Sequence, residues 1–344
     1  MLREFADVSV IVPAYQTAGT IGRALKSVAA QELLPREAIV VDDGNDDATF
    51  EAASAMAGHM NGVELTVLRQ QNMGAGAARN RALGAATGTF VAFLDADDEW
   101  LPEKLRQSLT HLDDPDMVLV AHDYIRHHAD GRETVISCAR HFRRAWNPYA
   151  TLYRRGYIGT CTVVARRDAV MAVGGFDAGL PTAQDFALWL ALLREPGTRF
   201  LVFPEALSRY HPTSGSITTH TERRLDCCLQ VAHRFYPALG QHSLSPAAGL
   251  GFRILAVHAE ALATHLGRGG LTAAIGTLAR LPVNTLMTTA RALAAPYRDG
   301  SVGAAPETIQ VRGLGIALGM WIVAALGAYL AQFSGIAEPL LRLL

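Results

Sequence analysis

The first 120 residues alternate short apolar runs with amphipathic segments, and this alternation restricts the fold more than any other feature of the chain. Each apolar run is rich in Val, Ile, Leu or Phe and ends in polar or turn residues, as strands buried on both faces do. Such strands, alternating with helices, predict a parallel sheet covered on both faces. The runs are VSVIVPAY, EAIVVDDG, VELTVLRQ and TFVAFLDADD, and the helical segments are TIGRALKSVAAQ, DDATFEAASAMAGHM and AGAARNRALGAAT.

The ends of these four predicted strands carry polar or aromatic groups. In a parallel sheet, ligands bind beyond the carboxyl ends of the strands, near a switch in strand order. We therefore expect the four ends to share one rim of the sheet. They are Pro13 with Tyr15, Asp42 with Asp43, Asn72, and Asp95 with Asp97 and Asp98.

The three aspartates of FVAFLDADDEW permit two interpretations. Asp97 or Asp98 could cap the helix predicted over LPEKLRQSLTHL, because a carboxylate accepts the unpaired N–H groups of a first turn. That role needs only one aspartate. Three within four residues repel one another unless a cation lies between them, and carboxylate oxygens suit Mg²⁺ or Mn²⁺. The residues alone leave both interpretations open.

Composition limits the classes of protein that fit. The 344 residues, half of them hydrophobic, allow about two units with a sizeable core. A formal net charge of −1 gives no basic stripe, so we expect no nucleic-acid partner. The four cysteines show no CxxC spacing, which favours reduced thiols, and the N-terminal segment MLREFADVSVIVPAY lacks a secretory signal. We expect this part of the chain in the cytoplasm.

A cluster of histidines follows the fourth predicted strand. His122, His127 and His128 have no paired Cys or Glu spacing, so a solvated edge is favoured over a metal site. HHADGRET predicts a hairpin or turn.

Five stretches in order together resemble the family 2 inverting glycosyltransferases over about residues 7 to 218. This resemblance implies the GT-A nucleotide-diphospho-sugar transferase fold, a Rossmann-like mixed sheet flanked by helices, and a nucleotide-sugar donor. The stretches are VSVIVPAYQTAGTIGRALKSVAAQ, IVVDDGNDDAT, NMGAGAARNRALGAATGTFVAFLDADDEW, GGFDAGLPTAQDFALWLAL and RYHPTSGSIT.

The resemblance also implies roles for residues at the strand ends. Pro13 and Tyr15 match the first strand end beside the nucleobase, where a tyrosine ring offers a face for stacking. Asp43 matches the carboxylate that accepts from the base N–H, with uracil expected. Arg79 resembles the residue beside the base and phosphates; a helix-surface arginine is the alternative.

A divalent metal, Mn²⁺ or Mg²⁺, is implied by the same resemblance. Asp95 and Asp97 match the DxD motif of the family, with Asp95 near the ribose or the metal, Asp97 as the closer metal ligand and Asp98 assisting. His211 resembles the histidine that approaches the metal or diphosphate from a later loop, and a structural histidine is its alternative. Such a metal neutralises charge on the departing nucleoside diphosphate.

Asp185 is the candidate catalytic base. It occupies the second place of the family's Glu-Asp pair, at the start of a helix whose Phe186, Trp189 and Leu190 are expected to face inward. Inversion requires a carboxylate that takes the acceptor proton. A helix N-cap is the alternative role. Gln184 replaces the usual acid of the pair, Gln16 replaces a common Asn, and NDD follows VDDG, which leaves donor selectivity open.

The composition of the C-terminal third suggests that this part of the chain associates with a membrane. The segment 313–331 holds 19 residues without a charge and would reach roughly 28 Å as a helix, near the thickness of a hydrocarbon layer. A buried helix in a soluble dimer is the alternative. The arginines that precede this segment suit an anionic leaflet, against Glu260, Asp299 and Glu307. They are Arg253, Arg268, Arg280, Arg291, Arg298 and Arg312.

We therefore expect a GT-A domain over 1–220, a helical and partly interfacial region over 221–311, and a membrane-associated helix over 312–344. The expected function is transfer of a sugar, from a UDP-sugar in the first instance, to a lipid-linked glycan of an exopolysaccharide or envelope polysaccharide, at the cytoplasmic face of the plasma membrane. A homo-oligomer is left open. The rivals are a metal-dependent nucleotidyltransferase, although VPAYQTAGT offers no Gly-rich, Arg-containing phosphate loop, and a non-catalytic binding protein on the same scaffold.

Overall fold

A computed structural model describes residues 4–44, 46–128, 130–213 and 220–294 of the chain. Its first half has the predicted alternation of strands and helices, followed by a short helix where LPEKLRQSLTHL predicts one. The strands are β1 (Phe5–Ala14), β2 (Leu34–Asp43), β3 (Glu64–Gln70), β4 (Phe90–Phe93) and β5 (Glu99–Trp100). The helices are α1 (Ile21–Ala29), α2 (Thr49–Ser54), α3 (Ala75–Ala85) and α4 (Lys104–Thr110), with a 3-10 turn at Ala57–His59.

The second half adds antiparallel strands and more helices. The strands are β6 (Met117–His127), β7 (Glu133–Ile136), β8 (Val164–Arg166) and β9 (Arg199–Tyr210). The helices are α5 (Ala139–Arg143), α6 (Pro148–Arg155), α7 (Arg167–Ala172), α8 (Gln184–Leu192), α9 (Thr221–Arg234), α10 (Tyr236–His242), α11 (Pro246–Gly267) and α12 (Leu271–Ala294), with a 3-10 turn at Thr160–Thr162.

All these strands form one mixed sheet in the order β3-β2-β1-β4-β8-β6-β9-β5, with β7 paired to β6. The first four strands in this order are parallel to one another. β8 is antiparallel to both β4 and β6, and β9 is parallel to β6. Because β1 to β4 are parallel, their carboxyl ends lie at one edge, which confirms the expected rim. The mixed sheet with flanking helices is the GT-A-like fold that the resemblance implies.

Two apolar cores cover the two faces of the sheet. One lies under α1, α2 and α4 and contains Val10, Val40, Leu25 and Leu105. The other contains Phe93 and Trp189 and continues without a break into residues of α9 and α11 such as Leu229 and Ile254. The helices that follow residue 220 therefore pack on the same core as α8.

The hairpin predicted at HHADGRET joins β6 to β7, where the His128 N–H donates to the Arg132 carbonyl at 2.8 Å. The solvated edge predicted for its histidines is wrong for His122, which is 1% exposed. His122 pairs with Phe203 of β9 and lies two positions beyond Val120, which pairs with β8, so it belongs to the central part of the sheet. His127 and His128 lie toward the hairpin end and are partly exposed.

The four cysteines are free, as predicted, and the structure shows that all four are buried. Among the described helices, α12 included, none combines the length and the apolar character needed to cross a bilayer. The uncharged segment 313–331 and the predicted helix 312–344 lie outside the described residues, as do Arg298 and Arg312.

Candidate active site

The turn after β4 brings the three aspartates to the edge of the sheet and points them in different directions. Exposure alternates along the turn: Asp95 and Asp97 are partly exposed, whereas Asp98 is buried. The Asp98 N–H donates to the Asp95 carbonyl at 3.0 Å, which closes the turn. Helix α4 begins only at Lys104 and has no side-chain cap, so none of these aspartates caps it. The helix-cap interpretation is excluded.

Asp95 pairs with Arg79 of α3. The Arg79 guanidinium donates to Asp95 Oδ1 at 2.7 Å, donates to Gln184 Oε1 at 3.3 Å, and lies 5.2 Å from the centre of the Phe176 ring. The arginine is buried, so the alternative of a surface residue is wrong. Arg79 thereby links the aspartate cluster to the first residue of α8.

Asp97 accepts a hydrogen bond of 2.8 Å from the Thr213 hydroxyl, and its carbonyl accepts from Arg23. Burial raises the pKa of Asp97, and the neighbouring charge of Asp95 raises it further. A cation between Asp95 and Asp97 would relieve this repulsion.

Asp98 and His211 are bound to other partners. Asp98 accepts from the backbone N–H of His211 at 2.9 Å and from the Cys161 thiol. Burial, and then the charges of Asp95 and Asp97, raise the pKa of Asp98 well above its usual range. The His211 ring pairs with Glu99 through Nε2 at 3.1 Å, and burial lowers its pKa.

The predicted nucleotide residues lie at the neighbouring strand ends. Pro13 is the penultimate residue of β1 and Tyr15 follows the strand directly, with its side chain about half exposed. Asp43, at the end of β2, is buried; it accepts from Gln70 at 2.7 Å, and from the N–H groups of Met73 at 2.9 Å and Gly74 at 2.8 Å. These bonds fix the turn that starts α3, and the carboxylate keeps further acceptor sites.

Gly44 explains why the VDDG turn ends in glycine. Its φ is +74°, and a Cβ there would lie 2.5 Å from the backbone nitrogen of Asn72. Only glycine therefore allows the ends of β2 and β3 to approach this closely.

Asp185 lies in the first turn of α8 and is half-buried. The residue at the N-cap position is Ala183, in a left-handed conformation with φ 59°, so the alternative N-cap role for Asp185 is excluded. Such a conformation costs a non-glycine residue roughly 1–2 kcal/mol, and it sets the direction in which α8 begins. Phe186, Trp189 and Leu190 are buried, as predicted.

The Asp185 carboxylate has two protein donors. Oδ1 accepts from the N–H of Phe186 at 2.7 Å, and Oδ2 accepts from the Thr160 hydroxyl at 2.9 Å. The adjacent Cys161 contacts Asp98. The turn Thr160–Thr162 is therefore a second link between Asp185 and the aspartate cluster.

Sequence reasoning missed several of these partners. Thr160 and Cys161 stand in no periodic pattern, and nothing in their local sequence marks them. Phe176 lies within the GGFDAGLPTAQDFALWLAL stretch and could have been found there. Thr213 lies within the RYHPTSGSIT stretch and could have been found there; residues 214–218 of that stretch lie outside the described part. In the described residues, no three His, Cys, Asp or Glu side chains group closely enough to bind a metal without other ligands.

Comparison with protein families and curated proteins gives a consistent result. The model of Glycosyl transferase family 2 matches residues 9–169. Succinoglycan biosynthesis protein ExoO of Rhizobium meliloti (strain 1021) is 33% identical over 223 residues, which are 62% of this chain and 62% of that protein. The putative teichuronic acid biosynthesis glycosyltransferase TuaG of Bacillus subtilis (strain 168) is 30% identical over 213 residues, 62% of this chain and 82% of that protein. The match thus spans less than two thirds of the length of ExoO.

Two solved structures share the fold. S. aureus TarS 1-349 in complex with UDP-GlcNAc has a TM-score of 0.59 and 19% identity, covering 83% of this chain and 88% of that chain. The mannosyltransferase PcManGT from Pyrobaculum calidifontis, in complex with GDP-Man and Mn2+, has a TM-score of 0.55 and 22% identity, covering 97% of this chain and 88% of that chain.

Proposed function

Because the chain belongs to glycosyl transferase family 2, we propose that it moves a sugar from a nucleotide-diphosphate donor to a glycan acceptor with inversion at the anomeric carbon. A UDP-sugar is the donor we favour, since the resemblance implies uracil beside Asp43. TarS, which shares the fold, was crystallised with UDP-GlcNAc, and PcManGT with GDP-Man, so both nucleotides belong in the test.

One observation carries this proposal: Arg79 donates to both Asp95 and Gln184, the residue before Asp185. These groups are up to 105 positions apart in sequence, yet one side chain joins them. A cluster suited to a diphosphate and a carboxylate suited to deprotonate an acceptor are thus built into one edge of the sheet. Direct displacement at the anomeric carbon needs both groups.

Asp185 would take the proton of the acceptor hydroxyl. The Phe186 N–H and the Thr160 hydroxyl hold its two oxygens in place, so the carboxylate is oriented before the acceptor arrives.

A divalent cation fits the residues present. Asp95 and Asp97 offer two carboxylates on the outward side of the turn, and such ions are commonly bound by one or two carboxylates together with substrate phosphates. The cation would supply charge neutralisation at the departing diphosphate. Arg79, already paired with Asp95, adds a positive charge on the same side. Asp98, bound to the His211 backbone, holds the later loop against this turn.

The acceptor we propose is a lipid-linked glycan of an exopolysaccharide or cell-envelope polysaccharide, bound at the cytoplasmic face of the membrane. Support comes from the relatives, which are named for succinoglycan and teichuronic acid biosynthesis. The uncharged segment 313–331 supports the membrane location, since its length suits a hydrocarbon layer.

The test is a panel of UDP- and GDP-sugars incubated with the full chain and Mn²⁺. We expect release of nucleoside diphosphate from one donor, faster with a glycan acceptor than with water. Release of pyrophosphate from UTP or GTP in the presence of a sugar 1-phosphate, with no release of nucleoside diphosphate from the panel, would indicate a nucleotidyltransferase instead. Saturable donor binding with no release under any condition would indicate a binding protein and overturn the proposal.

A further inference from the structure

Helix α12 carries most of its large apolar side chains on the outside, although Leu281 packs against the core. Seven of them are between 46% and 68% exposed, namely Leu271, Ile275, Leu278, Val283, Leu286, Met287 and Leu293. Its buried residues are small or polar: Ala274, Thr277, Thr285, Thr288 and Ala292. A helix on the surface of a soluble protein normally has the opposite arrangement. The outward side of α12 is therefore an exposed apolar surface without a partner among the described residues.

We define the α12 outer face as Leu271, Ile275, Leu278, Leu286 and Leu293. At 3.6 residues per turn, these five positions fall within about 80° of one another around the helix.

This face carries no charge along its whole length. The charged residues of α12 are Arg280 and Arg291, which fall on the opposite side of the helix by the same periodicity. Arg280 is bound to Glu222 and Asp226 of α9. The 24 residues of α12 extend over roughly 36 Å, so the uncharged face is long as well as apolar.

Two more exposed apolar side chains lie at the end of α12. Helices α11 and α12 are antiparallel, with Asn284 bonded to His258 at 3.0 Å, so the start of α11 lies beside the end of α12. Leu244, just before α11, is fully exposed. Asn147 donates to the His242 carbonyl at 2.6 Å, which places the fully exposed Trp146 at the same end. Tryptophan there suits a membrane–water interface.

We propose that the α12 outer face lies at the headgroup–acyl boundary of an anionic bilayer; this rests on the membrane location in the proposed function and names the surface that makes the contact. Charge supports it: residues 268–312 contain five arginines against Asp299 and Glu307. The chain also continues from this end of α12 toward the uncharged segment 313–331.

A bilayer fits better than the chain's own uncharged segment as the occupant of this face. That segment would extend over roughly 28 Å as a helix, which is shorter than the 36 Å face, and it would leave Trp146 and Leu244 uncovered. The surplus of arginines also suits anionic headgroups rather than an apolar helix.

The test uses the full chain with Leu286→Cys labelled with an environment-sensitive fluorophore, since the native cysteines are buried. The matched control is Val135→Cys on β7, which is also exposed. With vesicles of phosphatidylglycerol and phosphatidylcholine, we expect a blue shift and quenching by brominated lipid at position 286 and neither at 135. A second variant, Leu278→Gln with Leu286→Gln, changes exposed residues only and should weaken vesicle binding about tenfold or more.

Three outcomes would overturn the proposal. If the probe at position 286 is already blue-shifted without vesicles, the chain itself covers this face. If the emission of the probe depends on protein concentration, a second copy of the protein covers it. A probe that stays unchanged while the protein is bound to vesicles shows that the contact lies elsewhere. Nucleotide release with a soluble acceptor, measured on the same samples, tests the proposed function separately from the surface.

Discussion

The Thr160 hydroxyl donates a hydrogen bond of 2.9 Å to Asp185 Oδ2, across 25 positions of sequence. Thr160 lies in a 3-10 turn that also brings Cys161 against Asp98, so the candidate base is held by the same segment that packs beneath the acidic turn. The orientation of Asp185 thus depends on a residue outside α8.

Thr160→Val should lower the rate of transfer by about 10- to 100-fold while the KM for the donor changes little. The substitution keeps the shape of the side chain and removes one hydrogen bond to a charged group, which contributes about 1.5–3 kcal/mol. Steady-state kinetics against donor and acceptor measure the effect. Thr160→Ser keeps a hydroxyl and should restore most of the rate; if it is as slow as Thr160→Val, the hydroxyl is not what matters.

Asp185→Asn should abolish transfer, by a factor of about 10² or more, and leave donor affinity within a few fold. The amide has nearly the shape of the carboxylate but cannot accept the acceptor proton, and a base acts mainly in the transition state. Donor binding by calorimetry and transfer by product formation separate the two effects. An equal loss of donor binding would reassign Asp185 to the donor site.

Gln184→Glu should destabilise the fold, although it installs the residue that the family usually has. The Gln184 amide accepts from Arg79 through Oε1 and donates to the Leu180 carbonyl through Nε2. A carboxylate cannot make the second bond and would face a carbonyl oxygen in a buried place, at a cost of about 1–3 kcal/mol. Thermal unfolding measures it. An unchanged or higher Tm would show that Arg79 compensates for the lost bond.

The fold was predictable because strands buried on both faces leave a strong pattern. The predicted ends of β1 to β3 agree with the structure to within one residue, whereas β4 ends at Phe93, before the aspartates that the predicted run included. β1 begins at Phe5, earlier than the pattern indicates, because its first residues pair with Leu34 and Pro35 of β2 while facing solvent in part. The two-residue strand β5 has no pattern of its own and exists because Glu99 and Trp100 pair with β9.

The sequence predicted which strand ends form the site, but it did not predict which side chains contact one another there. Exposure alternates along the acidic turn, and Asp98 is buried together with Ala96 and Trp100, which lie two positions before and after it. The alternation of these two apolar residues with polar ones could have predicted that Asp98 is buried. The burial of Arg79 could not be predicted, because Phe176 and Gln184, which cover it, come about 100 positions later.

Asp97→Asn should remove the dependence of donor binding on metal. Asp97 is on the outward side of the turn beside Asp95. Burial raises its pKa and the charge of Asp95 raises it further, and a divalent cation would relieve the repulsion between the two carboxylates. Donor affinity measured across a Mn²⁺ titration should become flat in the variant. A titration curve like that of the wild type would rule out Asp97 as a ligand. Asp7→Asn, far along β1 from its carboxyl end, is the control and should titrate normally.

Acid should destabilise the protein through His122. Burial, with a smaller effect from Lys104, lowers the pKa of His122 to about 3, whereas an unfolded histidine has its ordinary value near 6.5. The unfolded chain therefore binds a proton that the native one does not. The stability this histidine contributes is full above about pH 6.5 and is lost as the pH falls toward 3.

His122→Gln should accordingly reduce the loss of unfolding free energy between about pH 6.5 and pH 4.5, by about 2 kcal/mol. The measurement is urea unfolding at a series of pH values, and the quantity compared is the slope of the unfolding free energy with pH. The substitution also removes the bond between His122 Nδ1 and the Asp123 carbonyl. That loss is the same at every pH and does not change the slope. His128→Gln, on the exposed hairpin, is the matched control and should keep the wild-type slope. If His122→Gln follows the wild-type slope as well, the buried histidine is not the source of the acid sensitivity.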